Sequence, residues 1–337
     1  MRFGPVPLAE AGGAILAHSV KVPDGRLRKG LVLTEAHLAA LAEAGLDEVI
    51  AARLDPGDMD ENAAAAHLAA ALVPDPGAAR LRLTDPFTGR VNLIAETAGV
   101  AVLDTAALHA VNRVHPMITI ATVPPFQQMR AGGMVATIKV ISYAVPGAEV
   151  ARAAAAGANA LRVAPPVHAS AGLVITQIEG GPTSDKGARA IADRLAALGM
   201  DLAETVTVPH RAAPLAEALP RLRGDIALIL TGSATSDIDD VAPSAVRRSG
   251  GNVERFGMPV DPGNLLFLGR LGARPVIGLP GCARSPALNG ADWVLSRVAC
   301  GIEVTGADIA AMGVGGLLKE IPTRPQPRAG RAAPDKG

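Results

Sequence analysis

From Asn159 onward the chain alternates short apolar stretches with helix-length amphipathic ones, and this constrains the fold more than any other feature. Leu173–Thr176, Thr205–Val208, Ile226–Leu230 and Val276–Gly278 read as strands. A helix capped by Ser184 or Asp185 buries Ala188, Ile191, Ala192, Leu195 and Leu198 and stops at Gly199. Further helices are expected over Ala213–Leu222, over Val241–Arg248, and from Pro286 to Val298 with Ser285 as cap and Leu288, Leu295 and Val298 facing inward. Strands alternating with such helices build βαβ units and a parallel sheet, so the class is α/β.

Residues 1–165 follow a different grammar and are expected to form a mixed α/β region, with the boundary at Ala164-Pro165-Pro166. Thr34 caps a helix that Gly45 stops, and Val49-Ile50 is a short strand. Asp58, Asp60 and Glu61 precede an alanine-rich helix, Asn62–Leu72, where acids serve the cap and the macrodipole. Leu81–Leu83 and Val91–Leu93 flank Asp85-Pro86-Phe87-Thr88-Gly89 as a hairpin. Asp104 caps a helix to Val111, Met117–Thr122 and Met134–Val145 read as strands, and Pro146-Gly147 opens a helix to about Ala156. The stretch 323–337, rich in Pro, Arg, Gly and Lys, reads as a disordered tail.

Composition excludes several function classes. Aromatics make up 2% of the chain, too few for a base-stacking nucleic-acid platform, and the 32 basic residues balance 32 acidic ones, so no polyanion partner is indicated. No apolar run approaches a membrane span, and the N-terminus lacks the apolar core of a signal peptide. Two cysteines, Cys282 and Cys300, make no disulfide framework, and a cytoplasmic location is expected. Seven scattered histidines show no metal-ligand spacing.

Three loops at strand ends carry the chemistry. After Leu230 come Thr231-Gly232-Ser233, then Ser236, Asp237, Asp239 and Asp240 before a helix. Small residues let a ligand approach the backbone, and a helix N-terminus offers free N–H groups to phosphate. The acids would repel a bare phosphate but suit Mg²⁺ or a heterocycle with N–H donors; an Asx-capped helix with a solvated acidic face fits the same residues. The loop Gly180-Gly181-Pro182-Thr183-Ser184-Asp185 has the same layout and is not a Walker loop. Gly278-Leu279-Pro280-Gly281-Cys282-Ala283-Arg284-Ser285-Pro286 sets Arg284 as an anion clamp beside a helix start. Cys282 is read as a packing residue, with a nucleophile of lowered pKa as the alternative.

Together these residues resemble the molybdopterin-binding domain shared by molybdopterin molybdotransferases and molybdopterin adenylyltransferases. Ungapped, Asp240 falls on that family's functional Asp, Asp261-Pro262-Gly263-Asn264-Leu265 on its Lys-Pro-Gly-Lys-Pro, and Gly278–Ala283 on its Gly-Leu-Pro-Gly-Asn-Pro. A narrower resemblance is to a subgroup often fused to a molybdenum-cofactor cytidylyltransferase, through Phe256–Asn264, Pro280–Pro286 and Met312–Leu318. The departures matter: Ser233 replaces the second glycine of Thr-Gly-Gly, Asp237 replaces the later glycine, and Asp261 and Asn264 replace both lysines of the Pro-Gly turn.

The resemblance implies a three-layer α/β/α domain over 166–322 and a homo-oligomer. It implies a pterin, the molybdenum cofactor, as ligand, in cofactor synthesis or maturation. Asp237 and Asp240 are the expected catalytic pair, with Mg²⁺ possible at Asp240. Gly232, Ser233, Ser236, Thr183, Ser184, Asp185, Pro262, Gly263, Asn264, Gly281, Cys282, Arg284 and Ser285 are the expected cofactor contacts. The reaction would be molybdate or nucleotidyl transfer; the alternative is a non-catalytic carrier for a molybdoenzyme. A molybdoenzyme or a cytidylyltransferase is the expected protein partner.

Overall fold

The computed structural model describes residues 1–180 and 184–318. Thr183 and the expected tail lie outside them. The chain divides into two compact units, Met1–Pro165 and Pro166–Gly337.

The first unit has two apolar cores. One lies under a four-stranded antiparallel sheet ordered 118–122, 134–140, 90–95, 81–83, with helices Glu61–Leu72, Thr105–Val114 and Gly147–Ala156. The expected hairpin is present, Leu81 pairing with Ala95 and Leu83 with Leu93. Alanine does the packing where aromatics are missing: Ala64, Ala65 and Ala69 are buried with Leu68 and Leu72 along one helix. The second core gathers Leu16, Leu33, Leu41, Val49 and Ala51 around the pairing of Arg2–Pro7 with Glu48–Arg53. The single strand expected over Met134–Val145 is two, Met134–Val140 and Ala144–Pro146. The first pairs with Ile118–Thr122 and with Arg90–Ala95, while the second turns away to pair with Asp58–Asp60.

The second unit is built on one six-stranded sheet. In chain order its strands are β1 Ser170–Gln177, β2 Asp201–Pro209, β3 Ile226–Leu230, β4 Asn252–Phe256, β5 Phe267–Leu271 and β6 Arg274–Leu279. Its helices are α1 Ser184–Ala196, α2 Ala212–Ala218, α3 Val241–Arg248, α4 Gly290–Ala299 and α5 Gly306–Ala311. In space the strands run β2-β1-β3-β6-β5-β4. The first four are mutually parallel, and β5 and β4 add two antiparallel strands at one edge.

The parity of β3 makes this a three-layer α/β/α domain. Ile226, Leu228 and Leu230 enter a core with Ile191 and Leu195 of α1 and Val294 and Leu295 of α4. Ala227 and Ile229 enter the opposite core with Leu215 of α2 and Val246 of α3. A strand buried on both faces reads as an unbroken apolar run, which is why Ile226–Leu230 was legible end to end. The hydrophobic effect acts on both faces, at about 1.5–3 kcal/mol for each large aliphatic side chain fully removed from water.

Two expectations fail in this unit. The edge strands β4 and β5 were not foreseen: Asn252–Phe256 mixes Asn, Glu and Arg with Val and Phe and carries no apolar run. The helix from Pro286 capped by Ser285 is absent. Gly281–Arg284 forms a short 3-10 turn, residues 285–289 are irregular, and α4 starts at Gly290 under Asn289. Leu288 is 57% exposed instead of facing inward.

Gly278 of β6 lies opposite Phe267 of β5, and a Cβ there would come within 1.9 Å of the buried ring. Gly278→Ala therefore overpacks a closed core. It is expected to lower unfolding free energy by roughly 1–3 kcal/mol, read from the urea midpoint at unchanged slope.

Candidate functional site

Open α/β sheets bind ligands at the carboxyl ends of strands, where successive connections leave toward opposite sides. In the second unit that point lies between β1 and β3. The chain leaves β1 through α1 to β2 on one side, and leaves β3 through α3 toward β4 at the far edge on the other. The loops after β1, β3 and β6 therefore meet at one crevice.

Gly232 opens the loop after β3. A Cβ on it would lie 2.7 Å from the Thr176 carbonyl oxygen and 3.2 Å from the Ile178 nitrogen, so glycine is needed for this approach to the end of β1. Its N–H donates to Thr176 Oγ1 at 2.9 Å. The loop is then tied internally. Thr231 Oγ1 donates to the Ser233 carbonyl at 2.6 Å, and Arg247 of α3 donates to the Ile238 carbonyl and pairs with Asp239 at 2.7 Å. Asp240 caps α3: Oδ1 accepts the Val241 N–H at 2.6 Å and Oδ2 the Ser236 N–H at 2.9 Å. Asp237 is exposed, with Oδ1 accepting the Asp239 N–H. The capping geometry expected of these acids is thus present, and each Asp240 oxygen keeps a second lone pair for a ligand.

Arg284 spans the crevice. Its Nη2 donates to the Thr231 carbonyl at 2.9 Å. Its Nη1 is buried and has no hydrogen-bond partner among the described residues. It lies against the first turn of α1, where a Cβ on Gly187 would come within 3.0 Å of it. Burial lowers the Arg284 pKa from its ordinary value, the direction expected for a cation taken from water. The structure thus brings together Arg284, Thr231-Gly232 and the start of α1, which Ser184 and Asp185 open.

The loop from Pro280 to Asn289 is held in place by Arg194 of α1. Its Nε pairs with Asp292 Oδ1 at 2.6 Å, and its two terminal nitrogens donate to the carbonyls of Ala283, Ser285 and Ala287 at 2.7–3.1 Å. These carbonyls point at a guanidinium rather than along a helix axis, which explains why Ser285 does not start one. The cap passes to Asn289, fully buried, whose Oδ1 accepts from Ala291 while Asp292 accepts from the Asn289 N–H. Ser285 Oγ accepts the Ala287 N–H at 3.3 Å instead.

The Asp261–Asn264 turn packs on the other end of this segment. The Pro262 carbonyl accepts the Gly290 N–H at 2.9 Å. Gly263 has a φ of +141°, and a Cβ on it would lie 2.7 Å from the Gly290 nitrogen. Asn264 is exposed and Gly281 is open at its surface. Cys282 is half-buried, and burial pushes its thiol pKa up, with Asp292 and Asp261 adding to the rise and Arg194 opposing it. That direction runs against a nucleophile of lowered pKa at this position. Among the described residues no group of three His, Cys, Asp or Glu side chains could hold a metal ion. A Mg²⁺ at Asp240 would take its remaining oxygen ligands from a phosphate and water.

Residues 172–297 match the family described as "Probable molybdopterin binding domain". This segment belongs to that family. Residues 5–53 match a domain of unknown function, and no curated protein matches the chain. Among solved structures, a molybdopterin biosynthesis MoeA protein from Pyrococcus horikosii is 16% identical over 90% of this chain and 76% of its own, with a TM-score of 0.31. No helix among the described residues is long and apolar enough to cross a membrane.

Sequence reasoning missed Thr176, Arg194 and His210 at this site. Thr176 and His210 form a hydrogen-bonded pair at the ends of β1 and β2. Only the position of Thr176 at a strand end could have drawn attention to it.

Two measurements follow from this geometry. Arg194→Met strands Asp292 and three carbonyls, and is expected to cost about 3–5 kcal/mol in chemical denaturation. Cys282 is expected to react with iodoacetamide more slowly than a model thiol at neutral pH. Its rate should climb only as pH passes above the ordinary thiol range, because thiolate forms later there.

Proposed function

We propose that the crevice at the carboxyl ends of β1, β3 and β6 binds the pterin of the molybdenum cofactor during its synthesis or maturation. The family match over residues 172–297 supports this ligand class. The carrying observation is Arg284 Nη1, a buried donor without a hydrogen-bond partner among the described residues, beside the first turn of a 13-residue helix. Leaving a buried donor unpaired costs about 1–3 kcal/mol, more for a charged group. A phosphate oxygen would satisfy that donor, and the α1 N-terminus would add its free N–H groups and partial positive charge.

In this reading the anionic end of the ligand lies at Ser184, Asp185 and Arg284, and the ring donors face Asp237 and Asp240. Gly232, Ser233 and Ser236 line the approach. Gly281, Cys282 and Ser285 border the Arg284 side, and Pro262, Gly263 and Asn264 lie beyond them. The chemistry would be transfer of molybdate or of a nucleotidyl group onto the pterin. Positioning would carry most of the rate, and Mg²⁺ at Asp240 would offset charge on a transferring phosphoryl group.

A second reading is favoured by one observation: with Asp261 and Asn264 at the Pro-Gly turn, no lysine stands there to hold a free oxyanion. A carrier that hands the finished cofactor to a molybdoenzyme, or exchanges it with a cytidylyltransferase, needs the pterin contacts but not that cation. A homo-oligomer would suit either role.

Anaerobic titration with molybdopterin tests the ligand. Wild type should bind, and Arg284→Gln should bind roughly 10- to 100-fold more weakly, the worth of one hydrogen bond to a charged group. No binding by the folded wild type overturns the proposal. Adding Mg²⁺ with molybdate or with a nucleoside triphosphate then separates enzyme from carrier by whether the bound pterin is converted.

A further inference from the structure

A histidine at the end of β2 is hydrogen-bonded to a buried hydroxyl beside the β1–β3 gap. Thr176, 1% exposed, is the penultimate residue of β1. Its Oγ1 accepts the Gly232 N–H at 2.9 Å and lies 2.7 Å from His210 Nδ1. A threonine hydroxyl carries one proton, and a buried one must donate it. Among the described residues, His210 Nδ1 is the acceptor in reach. A neutral ring that accepts at Nδ1 carries its N–H at Nε2.

His210 is itself pinned. It follows the last residue of β2, and its backbone N–H donates to the Gln177 carbonyl at 2.8 Å. The ends of β2, β1 and β3 are thus joined by one chain of contacts, His210 to Thr176 to Gly232, on the two strands that flank the crevice and their neighbour. The ring is half-buried, and Nε2 makes no hydrogen bond to a described residue. The result is a half-buried imidazole tied through Thr176 to the start of the β3 loop.

We propose that His210 donates its Nε2–H to an uncharged acceptor on the ligand, a ring carbonyl or imine nitrogen of the pterin. Arg284 takes the charged end, and His210 reads the heterocycle. Gly232 is the hinge of this arrangement, because the same Thr176 oxygen that sets the tautomer also fixes the loop backbone. The inference rests on the pterin reading of the crevice.

The test uses the full chain. The ¹⁵N imidazole signals of His210 at about pH 8, where an ordinary histidine is unprotonated, should report the Nε2–H form, and Thr176→Val should abolish that preference. His210→Gln places an amide N–H near the Nε2 position and should keep wild-type affinity for molybdopterin. His210→Asn places it near Nδ1 and should bind roughly three- to tenfold more weakly, the range for one neutral hydrogen bond. A wild type that binds molybdopterin while the Gln and Asn variants bind equally overturns the His210 assignment alone, as does an Nδ1–H tautomer. A folded wild type that binds no molybdopterin overturns the ligand reading and, with it, the acceptor assigned to His210.

Discussion

The crevice depends on one side chain that touches no proposed ligand. Arg194 projects from α1 into the connection between β6 and α4, where it meets Asp292 and the carbonyls of Ala283, Ser285 and Ala287. Without a cation there, those carbonyls would lose the partner that fixes the course of the loop along α1. With it, the loop is stitched to α1, and Arg284 is delivered between the α1 first turn and the end of β3. The pair is only 10% and 13% exposed, so its Coulomb gain is largely offset by desolvation. Its contribution is to specify one conformation, since removing either partner strands the other.

The sheet sets where this conformation matters. Strand parity sends Leu230 to the α1–α4 side and Ile229 to the α2–α3 side, so the chain reaches the end of β3 with helices committed on both faces. The connections then diverge between β1 and β3, and the only backbone that fits so close to β1 is glycine at 232. The loop beyond it closes on itself through Thr231, Asp239, Asp240 and Arg247. The crevice therefore has a preset wall on the β3 side and an Arg194-stitched wall on the β6 side.

How much of this was legible in the sequence follows from the range of each interaction. Ile226–Leu230 and Val241–Arg248 were readable to the residue, because burial on both faces and an Asp cap are local signals. The Leu81–Leu83 and Val91–Leu93 hairpin was readable for the same reason. Pro286 after Ser285 carries the local grammar of a helix start, yet Arg194, some ninety positions earlier, overrides it. The edge strand β4 was hidden because its pairing with β5 supplies the order that its composition does not, while the apolar run Leu265–Leu268 before and in β5 was a signal passed over. In the site, the glycines and the acids of the β3 loop were visible as a pattern. The role of His210 was not, since it is conferred by Thr176, 34 positions away.

The charge at the second loop bears on what kind of anion the crevice can hold. Asp261 lies close enough to Cys282 to push its thiol pKa up, so this turn brings negative charge toward the β6 loop. A free tetrahedral oxyanion at that turn would face a carboxylate rather than an ammonium. Arg284 donates to the Thr231 carbonyl and lies beside the α1 first turn, where the proposed ligand's ester phosphate would be placed. Under the proposed pterin reading, the same set of residues would suit a phosphate tethered to a heterocycle better than a small free anion. In that arrangement Arg194 acts at one remove, by fixing the loop that carries Arg284.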